Sequence, residues 1–276
     1  MEKEKQTSLS RNLSMVLSLF LIAGLSMTKG YAKDSYTFGI VPQQAASKLA
    51  RTWGPILEHL EKISGVRLSF ATAKNIPVFE ENLAKGKYDF AYMNPHHYVV
   101  YHKHTGYEAF AKEKDKKIHG IIVVRKDSNV KSIYDLKDQV LAFPSPLAFA
   151  ASLVPRSDFE KKKIHIIPRY VLSHDSVYRN VADKNFIAGG GVIRTFKASE
   201  KDVRDKLRVL YTTDGYTPHA FAAHPSVPEQ VRKQVLAAMQ DMEKTKEGKK
   251  LLQPLRIKGI EEAKDRDWDD VRGISY

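Results

Sequence analysis

Residues 89–98 read DFAYMNPHHY. Phe90 to Met93 is an apolar run of strand length, Asn94 is a favoured helix N-cap and Pro95 suits the first helical position. The stretch therefore predicts a strand that feeds straight into a helix. Ligands of open α/β sheets collect beyond the carboxyl ends of strands. That places the N–H groups of His96 and His97 at a candidate binding site, with Tyr92, Asn94 and Tyr98 beside them. Simple capping by Asn94, with surface histidines, explains the same residues. The two histidines are neighbours, about 100° apart on a helix, and are badly placed to grip one metal together.

The same layout recurs twice. In 142–156, AFPSPLAFAASLVPR, a short strand ends at Phe143, a Pro-Ser-Pro turn follows, and a helix is expected from about Leu147. Free N–H groups at such a helix start hold anions, which makes Ser145, Ala148, Phe149 and Ala150 candidates. In 172–177, LSHDSV, Ser173 or His174 opens a helix, and Asp175 either caps it or faces a cleft. The Pro42-Gln43-Gln44 turn after the strand at 36–41 adds Gln43 and Gln44 to the candidate set.

Outward from these points, strand and helix signals alternate, which predicts an α/β fold with largely parallel sheets. Leu49, Trp53, Ile56, Leu57, Leu60 and Ile63 fall on one helical face. Strands are expected at 67–72, 88–93, 120–125, 139–144, 164–167, 185–188 and 208–213. Helices are expected at 78–85, 132–136, 175–182 and 227–242. There is no internal repeat and no Gly/Ser linker, so two lobes, if present, are joined by structured strands.

The first residues are different in kind. Lys3, Lys5 and Arg11 precede MVLSLFLIAGLSM (15–27), with Gly30 and Ala32 beyond. A basic region, a short apolar core and small residues describe a secretory signal peptide over 1–32, cleaved after Ala32. The core is short for a membrane span of ~20 residues. The chain has no cysteine, which excludes disulfides, thiol catalysis, cysteine-ligated metals and a lipid-attachment cysteine. A periplasmic location is expected.

Of 276 residues, 42% are hydrophobic and 28% charged, a globular composition. The net charge is +13; residues 1–32 carry four basic and two acidic side chains, which leaves +11 on the rest. Such a balance favours acidic partners or membrane surfaces. Nucleic acid is not an expected partner, because the protein is exported and its lysines are scattered without interleaved aromatics.

Catalytic patterns are missing: there is no G-x-S-x-G and no H-E-x-x-H. Gly189-Gly190-Gly191 permits close backbone approach but lacks the Lys-Ser/Thr of a phosphate loop. His102 and His104 read as a polar helix end. No enzyme activity, metal or cofactor is expected.

The ordered series of Val41-Pro42, Trp53-Gly54-Pro55, Asp89-x-Ala91-x-x-Asn94-Pro95-x-x-Tyr98, 123–127, Asp135-Leu136-Lys137, 143–155, Ser173-His174-Asp175 and 208–218 resembles one family. It is that of the phosphate, phosphite and phosphonate solute-binding proteins of ABC importers, the PhnD-like proteins. The resemblance implies a type II periplasmic binding protein, with two α/β lobes joined by a two-strand hinge and closing on a ligand. Lobe one is then 33–119 plus 212–276 and lobe two 120–211, with crossings near 120–124 and 208–211. The implied partners are a small-molecule ligand and a membrane permease, or a sensor kinase, with the protein a monomer. In that family the turn before Leu-x-Pro usually carries Ser-Thr-Ser-Gly; counted back from Pro155, those places hold Ala148, Phe149, Ala150 and Ala151 here. The acidic residue after the Ser-His-Asp helix falls near Ile187. A phosphonate-type oxyanion is the first expectation for the ligand, and a larger apolar, lipid- or sterol-like molecule the second.

Overall fold

The computed structural model describes residues 33–274; the expected signal segment lies outside the described residues. The first sheet begins with β1 (Tyr36–Ile40), β2 (Leu68–Ala71) and β3 (Phe90–Met93), followed by β4 (Glu108–Glu113). The second sheet contains β5 (Ile118–Arg125), β6 (Val140–Phe143), β7 (Ile167–Tyr170), β8 (Ala188–Val192) and β9 (Leu207–Tyr216). The chain then returns to the first sheet as β10 (Ala220–Ala223) and β11 (Ile260–Glu262), giving the orders β11-β4-β10-β3-β1-β2 and β7-β6-β8-β5-β9.

Each sheet has a parallel part, with helices following the strands. After β1 comes α1 (Ala46–Ser64), which buries Leu49, Trp53, Ile56, Leu57 and Leu60 on the spacing read from the sequence. It stops at Gly65, whose positive φ of 70° suits a residue without Cβ. After β2 comes α2 (Ile76–Ala84), and after β3 comes α3 (Pro95–Thr105). The second sheet contributes α4 (Val154–Lys161), α5 (His174–Ala182), α6 (Ile193–Lys197) and α7 (Lys201–Asp205). The C-terminal part adds α8 (Glu229–Asp241), α9 (Lys246–Leu252) and α10 (Asp269–Arg272).

The chain passes between the sheets at residues 114–117 and 217–219. The expected crossings at 120–124 and 208–211 fall inside β5 and β9. Those strands pair antiparallel along most of their length, from Ile118 with Tyr216 to Arg125 with Leu207, so the sheet does not change until both have ended. The second crossing is fastened by residues near the end of the chain. Thr217 N donates to Asp270 Oδ2 at 2.9 Å, and Trp268 Nε1 donates to the Pro218 carbonyl at 2.9 Å.

Two strands sit later than the sequence predicts. The strand expected at 164–167 is β7, because Lys163, at φ 57°, turns the chain first. The strand expected at 185–188 is β8, which runs through the glycine triplet. Glycine is a poor strand former by propensity, but close packing requires it here. A Cβ on Gly190 would stand 2.1 Å from the Ala151 carbonyl oxygen, and one on Gly191 2.2 Å from Tyr178 Oη. The helix expected from Leu147 begins instead as a widened π-type turn, Phe149–Leu153, that runs into α4.

Because the clash at Gly190 is with backbone, the neighbour does not rotate away. Gly190→Ala is expected to cost about 1–3 kcal/mol by overpacking, read as a lower urea midpoint; an unchanged midpoint would contradict this packing.

Candidate functional site

Four chain segments meet between the sheets: the loop after β1, the start of α3, the turn before α4 and the start of α5. Asn94 caps α3, its Oδ1 accepting from His97 N at 2.8 Å, while its Nδ2 donates to the Leu147 carbonyl at 3.2 Å. One side chain thus ends a strand of the first sheet and holds a loop of the second. Ser173 caps α5 through Ser176 N at 3.1 Å, and His174 N donates across the interface to the Gln43 carbonyl at 3.2 Å. Lys48 on α1 donates to the Ala198 carbonyl in the same way.

The cavity these segments enclose is about 10 Å³, lined by Gln43, Asn94, His174 and His219 and by the Ala148–Phe149–Ala150–Ala151 turn, with Val41, Ile76, Ile118 and Val192 completing the wall. No hydroxyl or carboxylate side chain lines it. Phe149 is 2% exposed and packs edge-on against Tyr216, ring centroids 5.5 Å apart. The turn's apolar side chains belong to the core of the first sheet, although the turn itself follows a strand of the second. Ser152 N and Leu153 N both reach back to the Ala148 carbonyl. The N–H groups at the very start of such a turn have no intrahelical acceptor.

Burial controls the charge of the imidazoles. His174 is held down to about 3, by burial first and then by the Arg194 guanidinium. His219 lies well below its ordinary range for the same two reasons, with His97 and His174 adding to the effect. His96 is lowered to about 4 by burial and by His97. His174 Nδ1 lies 3.0 Å from Thr195 Oγ1, and His219 Nε2 lies 3.2 Å from Gln43 Nε2. A Gln43 N–H donated to Nε2 puts the His219 proton on Nδ1, an atom without a partner. The site therefore presents neutral donors and no fixed cation in its centre.

The sequence matches a family model described as ABC transporter, phosphonate, periplasmic substrate-binding protein, over residues 38–268. The chain belongs to this family. Its members are substrate-binding proteins of ABC transporters, which implies the periplasm, a small-molecule ligand and a membrane permease as partner. Among solved structures, PhnD1 from Prochlorococcus marinus in complex with methylphosphonate superposes with a TM-score of 0.81 at 17% identity, covering 87% of this chain and 97% of that one. A binding protein component of an ABC phosphonate transporter from Pseudomonas aeruginosa gives 0.79 at 16% identity, covering 87% and 85%. XAC2383 from Xanthomonas citri bound to ATP gives 0.66 at 12% identity, covering 88% and 100%. These likenesses establish the type II periplasmic binding protein fold. No curated protein matches.

Within this phosphonate-transporter fold, the residues singled out from sequence divide into three groups. Gln43, Asn94, Ala148, Phe149, Ala150 and His174 come together at the central cavity. Gln44, Ser173 and Asp175 line the outer part of the cleft with Lys48 and Arg179; burial raises the Asp175 carboxyl, opposed by Lys48 and Gln44. The remainder stand away from the cavity lining. Tyr98 donates to Asp265 Oδ1 at 2.8 Å and packs on Trp268. His97 Nε2 lies 2.9 Å from Glu80 Oε1. His96 and Ser145 are buried, and Ser145 Oγ has no partner. Tyr92 stacks on His219 at 4.9 Å and accepts from Arg194 Nη2 at 2.7 Å. His219, Arg194, Ile118 and Val192 were not singled out from the sequence. They lie at strand ends next to the crossings, where no motif marks them.

Because the folded protein keeps His174 neutral while the unfolded chain takes a proton near 6.5, its contribution to stability is complete above pH 6.5 and declines as pH falls toward 3. The urea midpoint is expected to fall between pH 7.5 and 4.5. His174→Gln is expected to flatten that fall by up to about 1.4 kcal/mol per pH unit; an identical slope in the variant would show that His174 is protonated in the fold.

Proposed function

We propose that the protein captures a small ligand in the interlobe cleft by hinge closure and delivers it, as a monomer, to the membrane permease of an ABC transporter. The ligand favoured is an oxyanion of the phosphonate or phosphite type. The observation that carries this reading is the meeting of two capped helix starts and the Phe149–Leu153 turn at one cavity, bridged by the His174–Gln43 and Asn94–Leu147 hydrogen bonds. Helix starts supply N–H groups and positive potential for an anion. The neutral imidazoles of His174 and His219 add hydrogen-bonding capacity without a buried charge. A cavity of about 10 Å³ is the size of one water at most. A ligand therefore enters as the lobes part and those bridges break, which is the hinge motion of this architecture. Binding rather than catalysis is the activity proposed, in keeping with a family of substrate-binding proteins.

A second reading has a specific observation behind it. Alanines and a phenyl ring stand where the family's hydroxyls are expected, and they are packed into the first sheet's core. That lining suits a larger apolar, lipid- or sterol-like ligand, or presentation of such a ligand to a membrane sensor.

Calorimetry with phosphate, phosphite and methylphosphonate separates the two: no micromolar binding of any of the three would refute the oxyanion reading. Ala148→Ser, Phe149→Ser and Ala150→Thr combined are expected to raise methylphosphonate affinity about tenfold or more, since a hydrogen bond to a charged group contributes about 1.5–3 kcal/mol. No gain would mean that the turn does not face the ligand.

A further inference from the structure

A larger cavity, about 280 Å³, adjoins the central one, and Ile118, Val192 and His219 form the wall common to both. It lies against both crossings between the sheets, the β8–α6 junction and Leu255–Arg256. Its walls are largely apolar: Ile193, Pro218 and Leu255 join Ile118 and Val192. Around them stand Lys116, Lys117, Arg194, Lys197 and Arg256, against Glu113 as the only carboxylate of the lining. Lys117 is paired with Asp270 at 2.9 Å. Lys116, Lys197 and Arg256 have no ion-pair partner among the described residues.

Two further features point to an occupant. Arg194 is less than fully engaged: Nη2 serves Tyr92, while Nη1 is a loose 3.4 Å from Glu113 Oε2. His219 is 2% exposed, yet its Nδ1 has no hydrogen-bond partner. A buried unpaired donor beside an under-used guanidinium costs stability unless something accepts from it. Arg256 adds to the same side of the cavity from a left-handed conformation, φ 56°, which a non-glycine residue adopts at a cost.

We infer that this hinge-side cavity binds an organic carboxylate with an apolar body, its head at Arg194 and His219 and within reach of Lys197 and Arg256. An inorganic anion leaves the apolar walls unused, and a neutral apolar molecule leaves the cations unpaired. The site is distinct from the central cavity beyond the shared wall, and the inference stands whichever ligand the cleft takes. An occupant touches both crossings at once and so bears on how the lobes move.

Decanoate is the probe, titrated by calorimetry into the full mature chain beside 1-decanol and methylphosphonate. One decanoate is expected to bind per chain. Lys197→Glu with Arg256→Glu, two exposed positions, is expected to weaken decanoate at least tenfold and to leave 1-decanol and methylphosphonate unchanged. Ile193→Trp, which fills the cavity, is expected to abolish decanoate binding while circular dichroism shows an unchanged melting temperature. Failure of decanoate to bind, binding of many molecules per chain, or equal affinity in the double charge reversal would overturn the site. Methylphosphonate results bear only on the central cleft, so the two readings fail independently.

Discussion

The turn after β6 lies almost flat on β5 and β8, and the arrangement of the cleft depends on that approach. The Ala150 carbonyl oxygen comes to within 2.0 Å of where a Cβ on Gly120 would be, and the Ala151 carbonyl stands in the same relation to Gly190. Two glycines on adjacent strands make this approach sterically possible. With the turn pressed down, Phe149 is aimed across the interface into the apolar core of the first sheet. Burying a phenyl ring stabilises by about 1.5–3 kcal/mol, so the same contact closes the cleft and fills it.

This contact also sets the electrostatics. With apolar groups filling the centre, the imidazoles there are stripped of water and stay neutral, while cations are confined to Arg194 and the outer rim. Tyr92 shows the balance: burial pushes its hydroxyl up to about 12 although Arg194 pulls the other way. The cations that line the interlobe region, Lys116, Lys117, Lys197 and Arg256, therefore stand around its centre, where only Arg194 reaches Tyr92.

Much of this was readable from the chain. The strand–cap–helix pattern at 89–98 and the helical face of Trp53 and Leu57 are local, and local chemistry decided them. The strand through Gly189–Gly191 was misplaced because its cause is the proximity of Ala151 and Tyr178, remote in sequence. The crossings were misplaced because β5 and β9 extend each other by pairing, which no single segment reveals. Of the site, the capping residues Asn94 and Ser173 followed from known preferences, whereas His219 and Arg194 become visible only when the second crossing is brought beside β3. Tyr98 and His97, candidates by position, are engaged by Asp265 and Glu80, partners that no local pattern announces.

Fastening the second crossing by Trp268 and Asp270 has a consequence for how the molecule is made. The first sheet joins β1 to β11, more than two hundred positions apart, and the crossing at Thr217–Pro218 is fastened by residues some fifty positions later. Contacts so distant in sequence form slowly. A chain folding from its N-terminal side remains without this anchor until Trp268 and Asp270 have joined the first sheet. The fold thereby delays its own completion, and the connection between the sheets stays pliable until those late residues are in place.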